Sequence, residues 1–322
     1  MKSTNEWDPL KKVIVGVADY ARIPEMDKSL RHINYADRQD ISDVISGLYP
    51  KQVIDEANED LEIFVNFLKK LNIEVLRPIS EQTEYYNFCP RDIAVVYDNQ
   101  QIITPMPLKA RANNFKSIKH HLQNYTNLIC SHDDALYNEN CIGDKDTLAL
   151  TEHEPAFDAA NIIRANDQIL YLLSNSGNRK GAQKLQTLLP ETKVHILEDV
   201  YSYMHIDTTI AFLREGLLLA NPERIKSRDV LPGPFKNWDI IWCPEPVDIG
   251  YHPGYNNAST WINMNLFSIN PNLVALEQHQ EPTRKVLEQH GIECAMLPMR
   301  HARTLSGCFH CVTLDLERND TF

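Results

Sequence analysis

Residues 51–72 read KQVIDEANEDLEIFVNFLKKLN and lead directly into IEVLRP at 73–78. Apolar side chains at 53, 54, 57, 61, 64, 65 and 68 recur every three or four positions, the period of one helical face, and the run that follows has β character. The same order returns along the chain. FKSIKHHLQNYT (115–126) precedes NLIC (127–130), RKGAQKLQTLLPE (179–191) precedes TKVHIL (192–197), and EPTRKVLEQHG (281–291) precedes IECAMLP (292–298). KKVIVGVA at 11–18 supplies an opening strand, and NWDIIWCPEP at 237–246 another strand without an evident helix before it. Strand centres fall near residues 75, 128, 195, 241 and 295, roughly 45 to 65 residues apart, a spacing that suggests repeated units as in a propeller. A generic α/β fold would alternate in the same way. Proline is spread along the chain, and glycine is sparse, 11 in 322 residues. One domain over 1–322 is therefore expected.

The net charge is −12, from 44 acidic and 32 basic residues. That balance opposes a nucleic-acid partner, which calls for a basic surface, and it suits a small cationic substrate. The N-terminal MKSTNEWDPLKKVIVG lacks the apolar core of a secretion signal, and no apolar stretch is long enough to span a bilayer. The expectation is a cytoplasmic protein without membrane contact. Seven cysteines with no such signal are expected to be reduced thiols rather than a disulfide framework.

Near the C-terminus, LSGCFHCVTLDLE (305–317) carries Cys308 and Cys311 as a C-x-x-C pair. Structural zinc needs four ligands, and no second such pair exists to join His301 or His310. A dithiol couple is normally seated at a helix N-terminus, whereas VTLDLE alternates like a strand. The remaining reading is one nucleophilic cysteine, which requires a base elsewhere. In YSYMHIDTTIAFLREGLLLANPERI (201–225), His205 and Asp207 would share one face of an extended strand. An imidazole beside a carboxylate shuttles protons near neutral pH; a histidine satisfied within a strand is the plainer reading. Asp92 in CPRDIAVVYDNQQIITP (89–105) and Asp158 in EPAFDAANIIRANDQILYL (154–172) lie in apolar settings, either as buried functional carboxylates or as turn caps. One cysteine, one histidine and three aspartates would suit attack on a guanidinium, whose planar N–H array carboxylates match in bidentate fashion.

These motifs, in this order, resemble the amidinotransferases, the glycine amidinotransferase group of the guanidino-modifying superfamily. The resemblance runs through NEWDPLKKVIVG (5–16), CPRDIAVVYDNQQIITPMPLKAR (89–111), EPAFDAANIIR (154–164), MHIDTT with LLLANPERI (204–209, 217–225) and GCFHCVTLD (307–315), so it covers most of the chain. It implies a five-bladed α/β propeller with pseudo-fivefold repeats around a central active site. By position, Cys311 matches the family nucleophile, His205 the general acid and base, and Asp158 its carboxylate partner. Asp92 and Asp207 match the pair that holds the guanidinium. Arg224 matches an arginine for the donor's carboxylate, while Ser259 in NNASTWINMN and Met204 match substrate-site residues.

The implied reaction is ping-pong transfer of the amidino group of arginine to an acceptor amine through an amidino-cysteine, releasing ornithine, without metal or cofactor. Its partners would be small molecules, and a homodimer is the assembly to test. A hydrolase of the same superfamily, or a thiol-redox or non-enzymatic protein on the same fold, are the competing readings. Several positions depart from the family pattern. Cys308 stands where glycine is usual, which raises a Cys308–Cys311 disulfide against simple packing. Asn161 replaces an acidic residue. Ser202 stands where glycine-using members carry asparagine, which leaves the acceptor open.

Overall fold

A computed structural model describes residues 2–80, 85–200 and 203–319 of the protein. The amphipathic stretch at 51–72 is a helix, Lys51–Lys70, that buries Val53, Ala57, Leu61, Phe64, Val65 and Leu68 along one side. Phe64 meets Phe309 edge-on with ring centroids 4.9 Å apart. Such a pair adds about 0.5–1.5 kcal/mol beyond the area it buries. The helix thereby anchors the segment that carries the C-x-x-C motif.

Among the described residues, five three-stranded sheets follow one plan: the first strand is antiparallel to the second, and the third is parallel to the second. Four are continuous in sequence. They are Ala94–Tyr97, Gln100–Ile103 and Thr126–Asn127; Ile162–Ala165, Gln168–Leu172 and Lys193–Leu197; Ile210–Arg214, Leu217–Ala220 and Asp239–Trp242; and Phe267–Asn270, Leu273–Glu277 and Glu293–Leu297. The fifth joins the two ends of the chain. Thr313–Arg318 lies antiparallel to Leu10–Val15, with Val13 opposite Asp315, and Glu74–Leu76 runs parallel on the other side. Four of the five third strands fall within β-type runs read from the sequence; the fifth, Thr126–Asn127, shares only Asn127 with the run NLIC at 127–130. A small ribbon, Arg22–Ile23 with Gly47–Leu48, stands apart from them.

A parallel step needs a crossover. Helices Lys51–Lys70, Arg179–Leu188 and Glu281–Gln289 supply three, as their periodicity predicts. The helix expected at 115–126 does not form; short 3₁₀ turns at Asn114–Ser117 and Lys119–His121 take its place. Side chains compete with a regular helix here: Ser117 Oγ donates to the Asn114 carbonyl at 2.7 Å and Asn114 Nδ2 to that of Tyr86 at 3.0 Å. The strand read before Asp239 is reached through similar turns, Arg228–Val230 and Gly233–Asn237.

Tight turns also lead into the first strands. Pro90–Asp92 packs on Ala159–Asn161, that on Ile206–Thr208, and that on Thr260–Met264; helix Ala302–Leu305 packs on the last and strand Thr313–Arg318 on the first. Short connections before five similar sheets are thus brought into mutual contact, and the polar side chains they carry meet. Among the described residues no helix is long and apolar enough to cross a membrane.

Candidate active site

Each turn delivers one or two side chains just ahead of its strand. Asp92 ends the turn before Ala94, Asp158 immediately precedes the turn before Ile162, and Cys311 lies two residues before Thr313. His205 and Asp207 do not share the face of a strand, as their spacing predicts. The chain is extended at His205 and then folds into the turn Ile206–Thr208, closed by Thr209 N–H on the Ile206 carbonyl at 2.8 Å. The pair nevertheless stays together, since both line one cavity.

His205 Nε2 lies 2.9 Å from Asp158 Oδ2, and Nδ1 lies 3.8 Å from Asp92 Oδ1. Burial works against a charged ring, but the carboxylates of Asp92, Asp158 and Asp207 outweigh it and push the imidazole up to about 9. For Asp158, burial dominates and raises the carboxyl, with His205 and Arg111 opposing. Asp92 is ion-paired with the buried Arg111, whose Nη2 also donates to the Cys89 carbonyl at 3.0 Å. The Arg111 guanidinium stands 5.4 and 5.6 Å from the ring centroids of Tyr85 and Tyr86, which lie 4.0 Å from each other, so the two rings support it from one side.

Cys311 is 2% exposed. Its Sγ lies 3.3 Å from Asp207 Oδ2 and 3.3 Å from Asn265 Nδ2. A hydrogen bond with Cys89, burial, and the charges of Asp207 and Asp92 all hold the thiol well above its usual range. Asp207 goes the other way. Burial would raise it, yet hydrogen bonding and charge from His310, then His205 and Asn265, bring it down to about 2. Asp92, Asp158 and Asp207 each keep one buried oxygen, Oδ1, without a hydrogen-bond partner. Three such acceptors around one thiol and one imidazole suit a planar cation with several N–H groups.

The cavity measures 710 Å³, and its wall includes Cys311, His205, Asp207, Met204, Arg224 and Ser259. Asp92 and Asp158 are not part of that wall and meet it through His205. Arg224 is anchored by Thr208 Oγ1 at 2.7 Å and Thr209 Oγ1 at 2.9 Å. Tyr35, Tyr49, Tyr85, Tyr203 and Trp261 add aromatic surface. Ser202 lies outside the described residues. Asn161 is fully buried and bonded to Ser174 Oγ at 2.9 Å and Ser176 Oγ at 2.8 Å, a structural post beneath the turn.

Cys308 is a free thiol at 0% exposure within the apolar core, and Cys311 is also free. The spacing that pairs them in sequence does not pair them here: both are free thiols, and the thiol that interacts with Cys311 is that of Cys89. Among the described residues no group of three or more His, Cys, Asp or Glu could hold a metal ion. Sequence reasoning missed Asn265, whose Oδ1 accepts the backbone N–H groups of His310 at 2.9 Å and Cys311 at 3.1 Å. Its signal was positional: Asn265 lies two residues before Phe267, as Asp92 lies two before Ala94 and Cys311 two before Thr313.

No family model matches the chain. Comparison over whole chains is informative. The chain is 38% identical over 336 residues to inosamine-phosphate amidinotransferase 1 of Streptomyces glaucescens, covering 98% of this chain and 95% of that one. It is 31% identical over 344 residues to the L-arginine:L-lysine amidinotransferase of Pseudomonas savastanoi pv. phaseolicola, covering 98% and 94%. The solved inosamine-phosphate amidinotransferase of Streptomyces griseus superposes with a TM-score of 0.95 at 35% identity, covering 99% and 97%. Likeness over this much of each chain defines an enzyme of the amidino-transferring class. The chain belongs to the amidinotransferase family.

Proposed function

We propose that the protein transfers the amidino group of arginine to an acceptor amine by way of Cys311. The observation that carries this reading is the placement of two groups on one cavity wall: the His205 ring, held by Asp158 at 2.9 Å, and the Cys311 thiol, 3.3 Å from Asp207. The guanidinium of arginine would sit against the unpartnered oxygen of Asp207 on the cavity wall, with Asp92 completing the holding pair from behind His205, and Arg224 would take the donor's carboxylate. Ser259 and Met204 would border the substrate. Arrival of a cation offsets the negative field that keeps the thiol protonated, so that on donor binding the thiol releases its proton to solvent and becomes the thiolate.

Attack of the Cys311 sulfur forms a bond to the guanidino carbon, and the bond from that carbon to the departing nitrogen breaks. His205, cationic at neutral pH because its ring is raised to about 9, protonates that nitrogen and ornithine leaves. An acceptor amine then gives a proton to His205, attacks the amidino carbon and restores the Cys311 thiolate. The sequence is ping-pong, and these steps draw only on the chain's own side chains.

The names of the similar enzymes point to an inosamine phosphate or lysine as the acceptors to try first. We also read the five like-ordered sheets, with their turns in mutual contact, as the blades of a five-bladed α/β propeller in one domain over 1–322. The cytoplasm is the proposed location, and a homodimer the proposed assembly. The functional test is ornithine release from arginine with each acceptor, in the native protein and in Cys311→Ala. The native protein should turn over and the variant should not; turnover by a folded Cys311→Ala protein would refute the assignment.

A further inference from the structure

The reaction above gives no task to His310, the residue immediately before the nucleophile. Its ring bridges two carboxylates in the interior. Nδ1 lies 2.9 Å from Asp207 Oδ2, and Nε2 lies 3.6 Å from Glu6 Oε2. Glu6 comes from the segment ahead of Leu10–Val15 and is gripped by Arg164, with Nε at 2.8 Å from Oε1 and Nη2 at 3.0 Å from Oε2. Arg164 Nη2 also reaches Asp315 Oδ2 at 2.7 Å, and Arg91 Nη2 reaches Asp315 Oδ1 at 2.8 Å. All of these side chains are buried.

A network that only tied the chain ends together would be complete with Glu6, Arg164 and Asp315. The link through His310 to Asp207 adds something else, because Asp207 Oδ2 is also the oxygen 3.3 Å from Cys311 Sγ. With Oδ2 engaged by the ring and the thiol, Oδ1 remains the unpartnered acceptor. The orientation of the ring therefore sets where Asp207 aims. We propose that His310, braced from behind by Glu6, is the positioning residue that holds Asp207 ionised and directed at the substrate guanidinium.

The proposal rests on the transfer reading given above. Its electrostatics involve few groups. His310, His205 and Cys311 face Asp207, with Cys308 in electrostatic reach. Asp207 and Glu6 face the His310 ring, and Arg91 Nε reaches the His310 carbonyl at 3.4 Å. Against burial, His310 leads the groups that keep Asp207 low. Removing its donor leaves a buried carboxylate that takes up a proton at higher pH.

The test compares native protein, His310→Leu, His310→Asn and Glu6→Gln, each checked for folding by thermal melting, in arginine-dependent ornithine release across pH. His310→Leu should lower kcat/KM for arginine about 10- to 100-fold, the weight of one hydrogen bond to a charged group, chiefly through KM. Its acid limb should move upward by about one pH unit or more as Asp207 protonates earlier. His310→Asn, which restores a donor, should recover part of both. Glu6→Gln keeps the ring and reads the same limb if His310→Leu does not fold. A limb and KM unmoved in a folded variant overturn the proposal while leaving the transfer reading intact. No ornithine from the native protein with any acceptor would remove that reading, and this inference with it.

Discussion

Asn265 holds Cys311 at two points: its Nδ2 lies 3.3 Å from the thiol sulfur, and its Oδ1 accepts the Cys311 backbone N–H at 3.1 Å. The same Oδ1 accepts the His310 N–H at 2.9 Å, so one fully buried amide fixes both the main chain and the sulfur. Asn265→Ala should leave two buried N–H groups without their side-chain acceptor, at about 1–3 kcal/mol each. Loss of alignment should lower kcat on the order of 100-fold. Asn265→Asp keeps the acceptor but buries another carboxylate beside the sulfur and Asp207, and should be slow and also less stable than native. Steady-state rates beside thermal melts separate the two effects.

The His205 ring, raised from 6.5 to about 9, makes stability depend on pH. Its folded value exceeds its unfolded one, so the contribution is fully present below about 6.5 and is lost as pH rises through about 9. Melting temperature should accordingly fall across that window, and the alkaline limb of turnover should lie near its upper end. Asp158→Asn removes a charge that supports the ring. It should flatten the stability slope and bring the alkaline limb down by about one unit or more.

Arg111 should matter to the fold as much as to the site. It is buried against Asp92 and beside the paired rings of Tyr85 and Tyr86. Arg111→Met would leave Asp92 charged, buried and without its ion-pair partner, at about 3–5 kcal/mol. Urea unfolding curves measure this directly. A variant as stable as native would show that Asp92 is neutralised some other way.

Cys308 should be dispensable for chemistry. Cys308→Ala should keep native turnover and lose on the order of 1 kcal/mol from a small core void. After peroxide treatment, peptide mapping should find no Cys308–Cys311 link. Any disulfide to Cys311 should run to Cys89, the thiol that hydrogen-bonds it.

Much of this was legible in the chain because periodicity is local. The spacing of Val53, Ala57, Leu61, Phe64 and Leu68 fixes a helix without knowledge of its partner, and the runs at 193–197 and 293–297 read as strands for the same reason. The segment at 115–126 misled because Phe115, Ile118 and Leu122 have helical spacing, while Asn114 and Ser117 bind backbone and divert the chain into turns. Distance in sequence hid the rest. Glu6 lies 158 residues from Arg164, and Asn265 lies 46 from Cys311. The spacing of His205 and Asp207 predicts one strand face; a turn brings both to one cavity instead, because the chain bends at Ile206–Thr208.

The most direct test of the account is mass spectrometry of the intact protein and its peptides after incubation with arginine and no acceptor amine. The account predicts a mass gain of one amidino group, confined to the peptide carrying Cys311, that disappears when an acceptor amine is added and is absent in Cys311→Ala. An adduct on another residue, or ornithine release with the Cys311 thiol unmodified throughout, would contradict it.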